Sequence, residues 1–115
     1  MSLNVATREV DGVTIVDLGG RITLGDASSG KLRESIREIL GGGAKKILIN
    51  LADVSYIDSS GLGELVSSYT TASNQDASVK LLNVQAKVQD LLQITKLYTV
   101  FDSFDNEADA ILSFS

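Results

Sequence analysis

The chain of 115 residues has no cysteine and no histidine. The first absence excludes a disulfide framework and a thiolate metal site. The second removes the Ser-His triad, together with the commonest general base and the commonest metal ligand. No catalytic residue, metal ion or cofactor is therefore expected. Aromatic residues make up only 5% against a hydrophobic content of 43%, which describes an aliphatic interior of the α/β kind and excludes a disordered chain. Positive charge is scarce: ten Lys and Arg stand against fifteen Asp and Glu, a net charge of -5. With no basic stripe to displace counterions, nucleic acid is not an expected partner. Long apolar runs are missing, and the first residues lack a secretory signal pattern, so membrane insertion is not expected and a cytoplasmic location is. The length suits one domain, residues 1–115, with a real core.

What is present reads as alternating strands and helices. Asp11-Gly12 suits the positive φ angles of a two-residue hairpin turn, so antiparallel strands should flank it. Val13 to Leu18 is mostly apolar and β-branched and belongs inside the sheet, with Val5 to Val10 at its edge and Gly19-Gly20 ending the pair. Asp26, Ser28 or Ser29 would cap a helix with the stripe Leu32, Ile36, Ile39 and Leu40, stopped by Gly41-Gly42-Gly43. The run Gly41 to Lys46 has neither the spacing nor the hydroxyl of a phosphate-binding loop. Further on, Ser78 to Asn83 reads as a strand, Val88, Leu91 and Leu92 as a short helix, and Tyr98 to Val100 as a last strand. Ala108, Ile111 and Leu112 suggest a closing helix capped by Asp105 or Asn106. The expected fold is α/β: a mixed sheet of four to five strands with an N-terminal antiparallel hairpin and about four helices packed on it, joined by right-handed crossovers.

The most informative stretch runs from Ile47 to Val66. Its first part is an unbroken apolar segment, expected to be a strand buried on both faces. After Gly61, the positions Leu62, Leu65, Val66 and Tyr69 have helical spacing. Between the two lies Asp58-Ser59-Ser60-Gly61, which places a pair of hydroxyls at a helix mouth. A helix start carries unpaired N–H groups and the positive end of the macrodipole, so it suits an anion or a phosphorylated serine. The plainer reading is that Ser59 or Ser60 caps the helix. Asp58 either positions the Ser59 hydroxyl or contacts a partner's nucleotide site, or it is simply an anion favoured by the dipole. Gly61 and Gly63 would let another backbone come close, and Leu62 is a surface anchor only if it points outward, whereas its spacing favours the core.

The hexapeptide Asp58-Ser59-Ser60-Gly61-Leu62-Gly63, preceded by Asn50-Leu51 and Tyr56-Ile57, resembles the signature of the STAS domain family, and within it the anti-sigma-factor antagonists. The order of elements extends the likeness over nearly the whole chain. The resemblance implies that Ser59 accepts a phosphoryl group from an anti-sigma factor that is also a serine kinase. It implies further that Asp58, Ser59, Ser60, Gly61, Leu62 and Gly63 contact this partner, and that a phosphoserine phosphatase resets the switch. The family often shows Gly-x-Leu-Asp after the second strand. Here the run is Gly20-Arg21-Ile22-Thr23, with Thr23 at the expected acidic contact position and Arg21 either a partner contact or, the plainer reading, a solvated loop residue. Two alternatives stand beside the switch: a non-switching interaction or scaffold module in a sensory or lipid-transport complex, which would tolerate Ser59→Ala, and, last, an enzyme using Asp58 with a serine.

Overall fold

The structure, a computed structural model, describes residues 3–22 and 31–114. The chain opens with a hairpin, β1 (Leu3–Val10) and β2 (Val13–Ile22), turned at Asp11 and Gly12, whose φ angles are +51° and +81°. Two consecutive positive φ values are what the Asp-Gly pair was expected to supply. Then follow α1 (Lys31–Gly41), β3 (Lys46–Ile57), α2 (Ser59–Ser73), β4 (Ser78–Leu82) and α3 (Ala86–Thr95). A 3-10 turn (Leu97–Thr99), a two-residue β5 (Ser103–Phe104) and α4 (Glu107–Leu112) complete the chain. The strands form one five-stranded sheet in the order β1-β2-β3-β4-β5, antiparallel at the first pair and parallel thereafter.

This order decides where the helices go. Each parallel connection steps to the next strand in the same direction, and right-handed crossovers then place every connecting helix on one face. Accordingly Leu32 and Ile36 of α1, Leu62 and Leu65 of α2, and Val88 and Leu92 of α3 share one core with Val16, Leu18, Ile49, Leu51 and Leu81 of the sheet. Among the described residues the opposite face is covered by α4: Ala110 packs on Val13, Ile15, Leu48 and Leu82. Lys80 ties down the end of the chain, donating to the Ser113 carbonyl and hydroxyl at 2.9 and 3.0 Å.

Several expectations shift in detail. Gly19-Gly20 does not end β2, which continues to Ile22; Gly20 adopts φ +100°, where the register against β3 slips, so the glycine makes an irregularity rather than a stop. The glycine run after α1 does act as a stop. Gly43, at φ +99°, donates to the Leu40 carbonyl and Ala44 to that of Ile39, the paired bonds of a Schellman cap. Tyr98 to Val100 is not a strand. Tyr98 and Thr99 lie in the 3-10 turn, and the last strand is Ser103–Phe104, paired to Leu81 and Leu82. In α4 Asn106 is the cap, accepting from the Asp109 N–H at 3.0 Å, and the buried residue is Ala110, while Ala108 and Leu112 are exposed. The expected caps Asp26, Ser28 and Ser29 lie outside the described residues.

Candidate functional site

The site is built by β3 delivering the chain into α2. Ile47, Leu48 and Ile49 are fully buried on both faces, as a central strand requires. Beyond Asn50 the pattern changes: Leu51, Val54 and Ile57 are buried while Ala52, Asp53, Ser55 and Tyr56 are exposed. A period of three replaces the strand period of two because β3 carries extra residues against β2. Asp17 pairs with Asn50 but Gly19 with Asp53, and Gly20 pairs with Val54 but Arg21 with Tyr56. Such bulges re-aim side chains. The second is fixed by Ser55, whose hydroxyl donates to the Gly20 carbonyl at 3.0 Å. The segment is therefore buried on both faces only in its first half.

Asp58, half-buried, is the N-cap of α2. Its backbone is extended, its carboxylate accepts from the Gly61 N–H at 2.7 Å, and its carbonyl accepts the first helical bond, from Leu62 N–H at 2.8 Å. Capping thus belongs to the aspartate and not to either serine. Ser59 and Ser60 are the first two helical residues, both exposed, and among the described residues neither hydroxyl is engaged in a hydrogen bond. Gly61 is buried as the donor to the cap. Leu62 is 3% exposed and belongs to the core, so its side chain is no part of the surface. Gly63 is exposed, and a Cβ built there meets nothing within 4 Å, so among the described residues no other backbone lies against it. The stripe continues with buried Leu65 and half-buried Val66 and Tyr69, the last edge-on to Phe101 at 5.4 Å. Ser68, fully buried, is satisfied by donating to the Glu64 carbonyl at 2.9 Å. Glu64 also pairs with Arg33 of α1 at 3.0 Å, tying the first turn of α1 to the second turn of α2.

The structure thus gathers Asp58, Ser59, Ser60 and Gly63 at one helix mouth, a corner at the carboxyl end of the parallel strands. Thr23 lies outside the described residues. From the sequence one neighbour stood between two readings, and its pairing was not foreseen. Arg21 is a strand residue, not a loop residue, and its guanidinium lies 4.8 Å from the centre of the Tyr56 ring. The hint was Tyr56 itself, an aromatic in a strand whose apolar positions were expected to be buried.

A second polar cluster sits on the sheet face that carries α4. Arg8 bonds Asp17 at 2.8 Å and Glu107 at 2.6 Å, Asn50 donates to Asp17 at 2.8 Å, and Asn83 donates to Asn50 at 3.1 Å. Hydrogen bonding to the Arg8 guanidinium holds the Asp17 and Glu107 carboxyls below the usual carboxylate range, against a smaller opposing effect of desolvation. Among the described residues no group of three or more acidic side chains is arranged to hold a metal ion, and no helix is long and apolar enough to cross a membrane.

Fold and site define a small α/β domain that presents a capped, serine-bearing helix mouth to solvent. The STAS domain family model matches residues 4–110, and the chain belongs to that family. It is 33% identical over 102 residues to the anti-sigma-B factor antagonist of Bacillus subtilis (strain 168), covering 89% of this chain and 91% of that protein. Two solved structures share the fold at 20% sequence identity. The anti-sigma factor antagonist from Mycobacterium paratuberculosis superposes with a TM-score of 0.85, over 97% of this chain and 93% of that one. The Bacillus cell fate determinant SpoIIAA in its phosphorylated form gives 0.75, over 97% of this chain and 100% of that one.

Proposed function

We propose that this chain is an anti-sigma-factor antagonist whose binding is switched by phosphorylation of Ser59. The observation that carries the reading is the division of labour at the helix mouth: Asp58 makes the cap bond, which leaves the exposed Ser59 hydroxyl free for a kinase. Relatives named as antagonists of anti-sigma factors support the class of partner. In the unphosphorylated form the corner of Asp58, Ser59, Ser60 and Gly63 docks on an anti-sigma factor with serine kinase activity, and sigma factor is released. A phosphoryl group adds about -1.5 to -2 charges beside the Asp58 carboxylate. The helix dipole accommodates that charge within the domain, but an apposed protein surface must desolvate it. A loss of about 3–4 kcal/mol weakens the complex more than a hundredfold, at a factor of ten per 1.4 kcal/mol. No refolding is needed. A separate phosphatase restores the binding form. The chain acts by binding and not by catalysis, and Leu62, being in the core, supports the corner from beneath without touching the partner.

The test is to mix the purified protein with histidine-kinase-like anti-sigma factors from the same genome and ATP, then locate phosphate by intact mass and peptide mapping. A single phosphate on Ser59 is expected, with Ser59→Ala retaining and Ser59→Asp losing the complex. Stable binding to another protein with no phosphate from any candidate would instead favour the scaffold.

A further inference from the structure

We infer that the Arg21–Tyr56 pair is a second contact of the docking corner, and that the anti-sigma factor binding around Ser59 presents a carboxylate to Arg21. The inference rests on the proposed antagonist role and extends it to the sign of charge on the partner. Arg21 and Tyr56 are opposite each other at the ends of β2 and β3, and Tyr56 precedes the capping Asp58 by two residues, so the pair adjoins the serine corner. Both are exposed, Tyr56 to 40%.

Three features separate the pair from ordinary surface decoration. The bulge at Ser55, pinned by its hydroxyl to the Gly20 carbonyl, puts two exposed residues between buried Val54 and Ile57 and so turns Tyr56 outward. The guanidinium then stacks on the ring at 4.8 Å, which restrains a side chain that is otherwise costly to order. Finally, Arg21 makes no ion pair among the described residues, although the chain carries a net negative charge. Arg8 and Arg33, by contrast, are held by carboxylates of this chain. A pre-ordered guanidinium with no carboxylate partner among the described residues offers its forked donors to a planar anion, and carboxylate is the planar anion of protein surfaces. Tyrosine and arginine are also the side chains over-represented among residues that dominate interface energies. The small corner of Asp58, Ser59, Ser60 and Gly63 contributes little contact area of its own, so the aromatic plate beside it supplies what the corner lacks.

The experiment compares the wild type with Arg21→Glu, Arg21→Lys and Tyr56→Ala, each checked for an unchanged thermal melt. Association with the candidate anti-sigma factors is followed by stopped flow at 50 and 500 mM NaCl. Arg21→Glu is expected to raise the Kd at least tenfold at low salt, mainly by slowing association, with the gap shrinking at high salt. Tyr56→Ala is expected to raise it three- to tenfold, and Arg21→Lys less than Arg21→Glu. Changing one carboxylate of the partner to lysine should restore binding to Arg21→Glu. If a candidate binds the wild type and phosphorylates Ser59 while Arg21→Glu binds within twofold of it, this inference is wrong and the antagonist role stands. If no candidate binds or phosphorylates the wild type, the antagonist role fails and the inference with it.

Discussion

Replacing Asp58 by alanine removes the side-chain bond that starts α2. The carboxylate oxygen lies 2.7 Å from the Gly61 N–H in a half-buried position, and the loss has two parts. Removing an N-cap costs about 0.5–2 kcal/mol, and the short contact to an ionised acceptor places this one in the upper half of that range. A negative charge in the first turn is worth about 0.3–1 kcal/mol and is included in the same figure. Asp58→Ala is therefore expected to lower unfolding stability by about 1.5 kcal/mol. With a urea slope of about 1.5 kcal/mol/M the midpoint falls by about 1 M. Asp58→Asn keeps the accepting oxygen and loses only the charge, and should cost about 0.5 kcal/mol. Ser59→Ala, at an exposed first helical position with no hydroxyl bond, should stay within about 0.5 kcal/mol of wild type. The assay is equilibrium urea unfolding of the three variants, followed by circular dichroism, with the slopes compared first. If Ser59→Ala costs as much as Asp58→Ala, the serine carries the cap and the division of labour at the helix mouth is wrong.

Other variants probe the surrounding structure. Leu62→Ala empties a core position and should cost about 2–5 kcal/mol in the same unfolding assay, whereas a surface residue would cost under 0.5. Gly63→Ala meets open space inside a helix and should stabilise the free protein by about 0.5–1 kcal/mol. The same methyl group should weaken the anti-sigma factor complex, and unchanged affinity would remove Gly63 from the docking corner. Arg8→Ala releases the ties from β1 to Asp17 and to Glu107 of α4. All three groups are about a third exposed or more, so the loss near neutral pH should be no more than about 1 kcal/mol. Because the folded state lowers both carboxyl pKa values, this contribution is present above the ordinary carboxylate range and is lost as pH falls through the lowered folded values. The stability gap between wild type and Arg8→Ala should therefore close below about pH 4, and a gap that widened in acid would contradict the assigned ion pairs.

Much of the fold is legible in local chemistry. The Asp11-Gly12 turn and the glycine stop after α1 rest on positive φ angles that few residue types accept, so the letters reveal them directly, while the cap of α4 needs only a side-chain acceptor, which Asp105 and Asn106 both offer. The apolar stripes of α1 and α2 repeat with the helical period and lie where that period puts them. The end of the chain was harder. β5 has two residues and exists only because Leu81 and Leu82 present an edge to pair with, while Tyr98 to Val100, richer in strand-forming residues, has no such edge and turns instead.

The candidate site divides in the same way. From the sequence alone, a hydroxyl pair lies at the start of a helix, and the hexapeptide Asp58 to Gly63 carries the family likeness. Which side chain caps that helix, and which is left free, depends on how β3 enters α2, because several residues of the run are acceptable caps and only the entry direction selects Asp58. The register slips between β2 and β3 are likewise invisible in the letters. They arise where one strand carries an extra residue against its neighbour, and they turn Tyr56 outward onto Arg21 instead of leaving it on a strict alternation. The sequence by itself determined the kinds of element, their order and the chemistry of the helix mouth, since these follow from side chains a few residues apart. Only the tertiary structure decided which groups face solvent together, since that is set by pairings between residues distant along the chain.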